Sequence, residues 1–373
     1  MIAKGNISDY LPKKVKALLV QPKYYSPFPP LPLLKLAALF PDSRLVYYPD
    51  MPEPEFMPNV IFVTSLFTWT WESVRNAVYH YSQAYPKAEV ILGGIYASLM
   101  PEHAESEVRP HIVWVGQIPE AEDLMPRYDL VPENTKSIVF ASRGCVRRCL
   151  FCAVPKLEPT FEGEVSISHL VCPGHSEIVL LDNNFLASPH KSEVLSELVQ
   201  LRNKKGQRYL VDFNQGLDAR LVTPEIASAL RRLRMRCVRL AYDYYTVRNS
   251  VAKAIAALIE AGFRGRDIVV YTLYGWNDSP EDFFQRIRDM AQWGVSIYPM
   301  RYQPTDALEK NAFIPERWSR EELEMVFDAQ RALGFRGVWL PREALRRKFL
   351  EALNFARAME LRPRETKKAL SRN

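Results

Sequence analysis

A chain of 373 residues with 47% hydrophobic content is long enough for two domains or one large one, and too apolar for general disorder. Its net charge of +6 is mildly basic, short of the signature of a dedicated nucleic-acid binder. Residues 1–9 hold no signal-peptide core, no apolar run approaches the roughly 20 residues that span a bilayer, and five cysteines are too sparse for a disulfide scaffold. A cytoplasmic protein in a reducing compartment is therefore expected.

Residues 14–126 read as an α/β unit. Strands are expected over 15–21, 60–66, 89–94 and 111–116, with helices over 33–40 and 71–85. Continuous apolar strands alternating with helices predict a doubly wound parallel sheet, whose ligands bind at the carboxyl ends of the strands. Residues 120–136 carry Met125-Pro126 and Val131-Pro132 and show no periodicity, so they read as a linker. From residue 137 the alternation resumes. Strands are expected over 138–142, 178–181, 209–213, 238–241, 268–273 and 296–300, separated by helices over 192–204, 224–233, 250–261 and 280–293. The expected layout is a Rossmann-like sheet over 1–126, a linker over 127–136, a βα core over 137–305 and a helical region over 306–373. Arg342–Asn373 is a basic tail, read as a solvated helix with a frayed end.

The chemistry sits in one loop after the first strand of the core. Cys145, Cys149 and Cys152 are spaced C-x3-C-x2-C. Three thiolates on one short loop can hold three corners of a [4Fe–4S] cubane and leave the fourth iron without a protein ligand. The spacing does not match a paired C-x2-C zinc framework. Unconnected thiols, or a zinc site completed by a distant histidine, are the plainer readings. The basic neighbours Arg143, Arg147 and Arg148 suit thiolates and an anionic cluster, or are solvated loop charges.

This loop, with Phe151 before its third cysteine, resembles the radical S-adenosylmethionine superfamily. The resemblance implies a partial (β/α)6 barrel for the core, with chemistry at its C-terminal mouth. It implies that the open iron chelates S-adenosylmethionine, and that an electron from an external reductant of flavodoxin or ferredoxin type cleaves it to a 5′-deoxyadenosyl radical. Polar residues at the expected strand ends are the candidate S-adenosylmethionine contacts. Asp182, Asn183 and Asn184 follow the second core strand, where the family approaches the methionine amino group; an Asx turn explains them equally. Asp212, Asn214 and Gln215 belong to the third strand, and Arg220 is placed to pair with the methionine carboxylate. Tyr242 and Asp243 are candidates for the ribose hydroxyls. The segment 271–282 resembles the family's adenine-bordering stretch, with Gly275 permitting close backbone approach and Asp278 or Ser279 capping the helix ahead of Pro280. Arg301, Tyr302 and Gln303 are candidate substrate contacts. Cys172 and Cys237 are spare thiols, Cys237 reading as a small buried hydrophobe.

The N-terminal unit resembles the cobalamin-binding domain found in many such enzymes. Thr64 and Leu66, followed by Gly93 and Gly94, match its Ser/Thr-x-Leu and Gly-Gly motifs. Its Asp-x-His-x-x-Gly loop is missing. The corresponding stretch, Gln21–Pro30, lacks histidine, and the first histidine in the chain is His80. The resemblance leaves two readings: cobalamin held without a lower imidazole, which favours methyl transfer, or a domain that keeps the fold without the cofactor. The aromatic residues Tyr24, Tyr25, Phe28, Phe67, Trp69 and Trp71 suit a macrocycle wall or ordinary packing. The functional expectations are a radical enzyme acting as a cobalamin-dependent methyltransferase; a cobalamin-independent one acting on a small molecule, peptide or RNA; or a non-catalytic iron–sulfur protein. The basic stretch 202–208 and the tail add a little weight to RNA among these substrates.

Overall fold

The computed structural model describes residues 1–333 and 343–360. Strands β1 (Ile2–Ala3), β2 (Ala17–Gln21), β3 (Ser43–Tyr47), β4 (Val60–Ser65), β5 (Glu89–Gly94) and β6 (Ile112–Trp114) form one six-stranded sheet, order β1-β6-β5-β4-β2-β3. Every pairing in it is parallel. β2 and β4 are buried along their full length because both faces are covered. Side chains alternate across the pleat. Ala17 and Leu19 meet Leu33, Leu36 and Ala37 of the helix Leu31–Leu39. Leu18 and Val20 pack on the side of Val74, Ala77, Val78 and Tyr81 from the helix Trp71–Ala84. The chain leaves β2 for β3 on one side and for β4 on the other, so the β2/β4 gap is the topological switch point.

The expected linker is packed rather than free. Tyr128 and Val131 bury themselves against Leu34, and the Tyr128 hydroxyl accepts from the Ile138 amide at 2.8 Å. The absence of periodicity there reflects a chain held by single anchors.

Strands β7 (Lys136–Val139), β8 (Ser142–Arg143), β9 (Glu162–Gly163), β10 (Glu177–Leu180), β11 (Leu210–Phe213), β12 (Arg234–Met235), β13 (Val238–Ala241), β14 (Ile268–Tyr274) and β15 (Ser296–Arg301) follow. The core strands expected in one run are divided between two parallel sheets, ordered β12-β11-β10-β7 and β13-β14-β15. The division has a local cause. The two-residue strand β12, not expected from the sequence, pairs with β11 through Leu210 and Val211 and takes that edge. β8 and β9 form a short antiparallel ladder.

The chain divides into two compact units: 1–218 with 229–236 and 303–313, and 219–228 with 237–302 and the residues from 314. Within the second unit the helices Arg320–Leu333, Glu343–Glu351 and Phe355–Met359 give the C-terminal region its expected helical character. The tail beyond residue 360 lies outside the described residues. No helix among the described residues is long and apolar enough to cross a membrane.

Candidate functional site

The cysteine loop leaves the carboxyl end of β7 and is closed at its base by the β8/β9 ladder, Ser142 opposite Gly163 and Arg143 opposite Glu162. Asp182 fixes its exit. Two residues past the end of β10, its carboxylate accepts from the Ala141 amide at 3.2 Å and the Ser142 hydroxyl at 2.7 Å. Burial pushes its pKa up to about 6, with these bonds only partly opposing the shift. Asp182 therefore shapes the loop and is 3% exposed.

Glu158, which the sequence did not single out, is the second anchor. Its carboxylate accepts from the Gly144 amide at 2.6 Å and from Asn183 Nδ2 at 2.9 Å, and pairs with Arg143 at 2.8 Å. Arg143 also lies over the Phe140 ring at 4.0 Å. That arginine thus supports the loop base. Gly144 has φ +71°, and a Cβ there would fall 1.9 Å from the Thr160 carbonyl oxygen, so only glycine fits.

The three thiols are half-buried. Two N–H groups point at Cys145 Sγ: the Arg147 amide at 3.4 Å and Asn184 Nδ2 at 3.7 Å. Asn184 is 3% exposed, and its Oδ1 is buried with no hydrogen-bond partner. Among the described residues no three His, Cys, Asp or Glu side chains converge on a single metal ion. A cubane places each thiolate on a different iron, so it does not need that convergence. N–H donors on a cluster sulfur ligand and an orphaned acceptor beside it suit such a group. The residues present fit a [4Fe–4S] cluster on these grounds.

The other candidates fall in different settings. Phe151 is half-buried in the loop, and Gln215 and Arg220 are exposed. In the second unit, Asp243 accepts from the Leu273 amide at 3.0 Å and lines a cleft of about 160 Å³ with Tyr244, Trp276 and Asn277 at the carboxyl ends of β13 and β14. Gly275, at φ +75°, borders that cleft's turn and packs under Leu323. Ser279 is the helix cap, in a capping box with Asp282. Asp278 instead accepts from the Gly275 and Trp276 amides and pairs with the buried Arg286 at 2.7 Å.

Tyr242 does not face the cleft. It is fully buried, and its hydroxyl donates to Asp289 at 2.8 Å, a carboxylate that Arg248 also grips with two bonds. Burial and that carboxylate both push the phenol's pKa up. Arg301 and Tyr302 are half-buried at the end of β15. Gln303, in the first unit, exchanges two hydrogen bonds with Asn311, a residue at φ +62°, and so braces a turn. Cys172 and Cys237 are half-buried, so Cys237 is less enclosed than its apolar setting suggests.

In the six-stranded sheet, Thr64 pairs with Gly93, and Ser65 with Gly94, at the carboxyl ends of β4 and β5. The motif residues are brought together, but their space is taken. A Cβ on Gly94 would lie 2.1 Å from the Ser65 carbonyl oxygen. Ser65 Oγ donates to the Gly93 carbonyl and accepts from the Ala97 amide. Tyr24, from the loop after β2, stands close to Gln21 and Thr64, and burial raises its pKa. Leu66 is half-buried just beyond. A cleft of about 550 Å³, lined by Tyr24, Phe28, Tyr47 and Glu133, opens at the ends of β2 and β3, to one side of the switch point. Phe67 stacks on Trp69 at 4.7 Å, and Trp71 packs edge-on to His103. Tyr24 stands beside Thr64 at the carboxyl end of β4.

Comparison of the chain with protein-family models and with curated proteins found no match.

Proposed function

We propose that this protein is a radical S-adenosylmethionine enzyme in which Cys145, Cys149 and Cys152 hold a [4Fe–4S] cluster. The observation that carries the reading is the pair of N–H donors from Arg147 and Asn184 on Cys145 Sγ, in a loop whose start Asp182 and Glu158 hold at Ser142 and Gly144. When bound, such a cluster supplies one electron to cleave the sulfonium and release a 5′-deoxyadenosyl radical. The chain's own tasks are to hold, orient and shield. Asn184 Oδ1 offers an acceptor to the methionine ammonium, and donation by Asn184 and the Arg147 amide stabilises charge on the Cys145 thiolate. In the second unit by itself, the cleft edged by Asp243 and Trp276 offers a carboxylate and an aromatic wall. The electron comes from an external flavodoxin- or ferredoxin-type partner.

Of the two forms this activity takes in the family, we favour the one without cobalamin, because the loop after β2 lacks histidine and its Tyr24 stands close to Thr64, where a nucleotide tail would enter. The test has two arms. Anaerobic reconstitution should give about four irons per chain, and dithionite should then release 5′-deoxyadenosine and methionine; no cleavage by a fully loaded chain refutes the enzyme reading. Hydroxocobalamin added and then desalted away should leave no cobalamin spectrum, and stoichiometric retention would restore methyl transfer as the leading reading.

A further inference from the structure

The amino end of the four-stranded sheet carries a concentration of positive charge that the cysteine loop does not use. Segments 201–208 and 229–236 each hold four Lys or Arg residues and no Asp or Glu. The topology joins them. Arg202 forms a β-bridge with Arg208, and Leu210 of β11 stands opposite Arg234 of β12. Arg208 reaches the Arg232 carbonyl at 3.4 Å, and Arg234 returns to the Arg208 carbonyl at 3.2 Å. Arg202 donates to the last carbonyls of the helix Lys191–Gln200. These bonds fix the guanidinium groups in place without cancelling their charge. The turn bearing Lys204 and Lys205 is equally set, since Asn203 Oδ1 accepts from the Lys205 and Gln207 amides at 3.0 Å and Gly206 sits at φ +72°. Arg236 pairs with Glu177 at one margin.

We propose that this surface docks the phosphate backbone of a nucleic-acid duplex. Arginine prevails over lysine in it, and the planar guanidinium matches phosphate oxygens in pairs. The cations stand on β12, on the Arg202–Arg208 bridge and on a fixed turn, so little order has to be imposed on binding. No large apolar side chain in the two segments is among those exposed. That disfavours a lipid surface, where apolar insertion accompanies charge. It also disfavours a single strand, whose bases need aromatic platforms. Recognition is therefore through backbone charge and without sequence. The surface lies at the strand ends opposite the cysteine loop, so it anchors the nucleic acid and does not present a base for reaction. It stands independently of any cluster.

The test is fluorescence anisotropy of the full chain with labelled 20-base-pair RNA and DNA duplexes across 50–300 mM salt. About four phosphate contacts give a log–log salt slope near −3.6, from roughly −0.9 per phosphate. Lys204→Gln/Lys205→Gln/Arg232→Gln removes three exposed charges. It should flatten the slope by about 2.7 and weaken binding roughly 100-fold or more near 0.1 M salt, with an unchanged thermal midpoint. The matched control Lys13→Gln/Lys14→Gln/Lys87→Gln removes the same charge elsewhere and should cost less than about threefold by this count of contacts. Equal losses in both triple variants, or no loss in the first, overturn the proposal. So does binding to phosphatidylserine vesicles but not to either duplex. A preference between RNA and DNA supports it and identifies the duplex.

Discussion

Removing the Glu158 carboxylate tests whether the cysteine loop is held as argued. Glu158→Ala leaves the Gly144 amide and Asn183 Nδ2 without their acceptor and removes the carboxylate partner of the Arg143 guanidinium. The Arg143 and Glu158 side chains are 23% and 15% exposed, so solvent compensates only part of the loss. Breaking a largely buried ion pair and orphaning two further donors costs roughly 3–5 kcal/mol. At about 2–4 °C per kcal/mol for a unit of this size, the thermal midpoint should fall by about 10 °C. Glu158→Gln keeps an acceptor for Gly144 but turns an NH2 toward one of the other donors, and should cost about 1–2 kcal/mol. Asn183→Ala leaves the carboxylate satisfied by its other partners and should cost less than about 1 kcal/mol. The assay is thermal unfolding of all three variants, with iron bound after anaerobic reconstitution measured alongside. Stability and iron retention should fall in the order Asn183→Ala, Glu158→Gln, Glu158→Ala. If Glu158→Ala melts within about 2 °C of the parent, less than the shift from 1 kcal/mol, the anchor does not exist as described.

Asp182 gives a pH signature. Its native pKa of about 6 lies above the unfolded value near 3.8, so its contribution is fully present below pH 3.8 and is lost as pH rises through 6; of roughly 3 kcal/mol in all, about 1 should be regained between pH 7 and 5. Urea titrations should show that gain in the parent and not in Asp182→Asn. Gly144→Ala forces a Cβ against the Thr160 carbonyl and should cost roughly 2–4 kcal/mol with loss of bound iron, and a variant that melts and binds iron like the parent would deny the close approach. Tyr242→Phe leaves Asp289 with Arg248 and should cost about 1–2 kcal/mol with no change in the S-adenosylmethionine cleavage rate; a slowed rate at unchanged stability would return Tyr242 to the ligand.

What the sequence made legible follows from how local each signal is. β2, β4 and β5 are near-continuous apolar runs buried on both faces, and such runs declare themselves. The helix Pro280–Trp293 was readable to the residue because both its stops are written in the chain: the Ser279–Asp282 capping box, and Gly294 at φ +68°. β3 escaped because it is an edge strand whose burial, with Ser43 and Val46 inward, follows no period of two, and β12 because two residues inside a basic run carry no pattern. Glu158 gave no local signal, since its partners stand 14, 15 and 25 positions away. Tyr242 did carry one. Val238 and Leu240 point inward on β13, and period two puts Tyr242 on that same side and Asp243 on the other.

The small residues at the ends of β4 and β5 show how a motif can match for a reason other than its ligand. In a parallel sheet the strand ends converge on the crossover loops, and backbone crowding there selects glycine whatever binds beyond. Gly94 meets this description, because the obstacle to a side chain is the carbonyl of Ser65 on the neighbouring strand. Gly93 does not. A Cβ there would make only ordinary contact with Trp114 at 3.8 Å, so alanine is sterically allowed and the pairing does not demand glycine. The pair thus separates two causes within one motif. Gly94→Ala should destabilise the sheet, whereas Gly93→Ala should be close to neutral, since nothing within the sheet competes for that space. The Gly-Gly match therefore carries half the weight it has as a sequence pattern. A cofactor reading of this domain has to rest on the space between β2 and β4, and there Tyr24 stands close to Thr64.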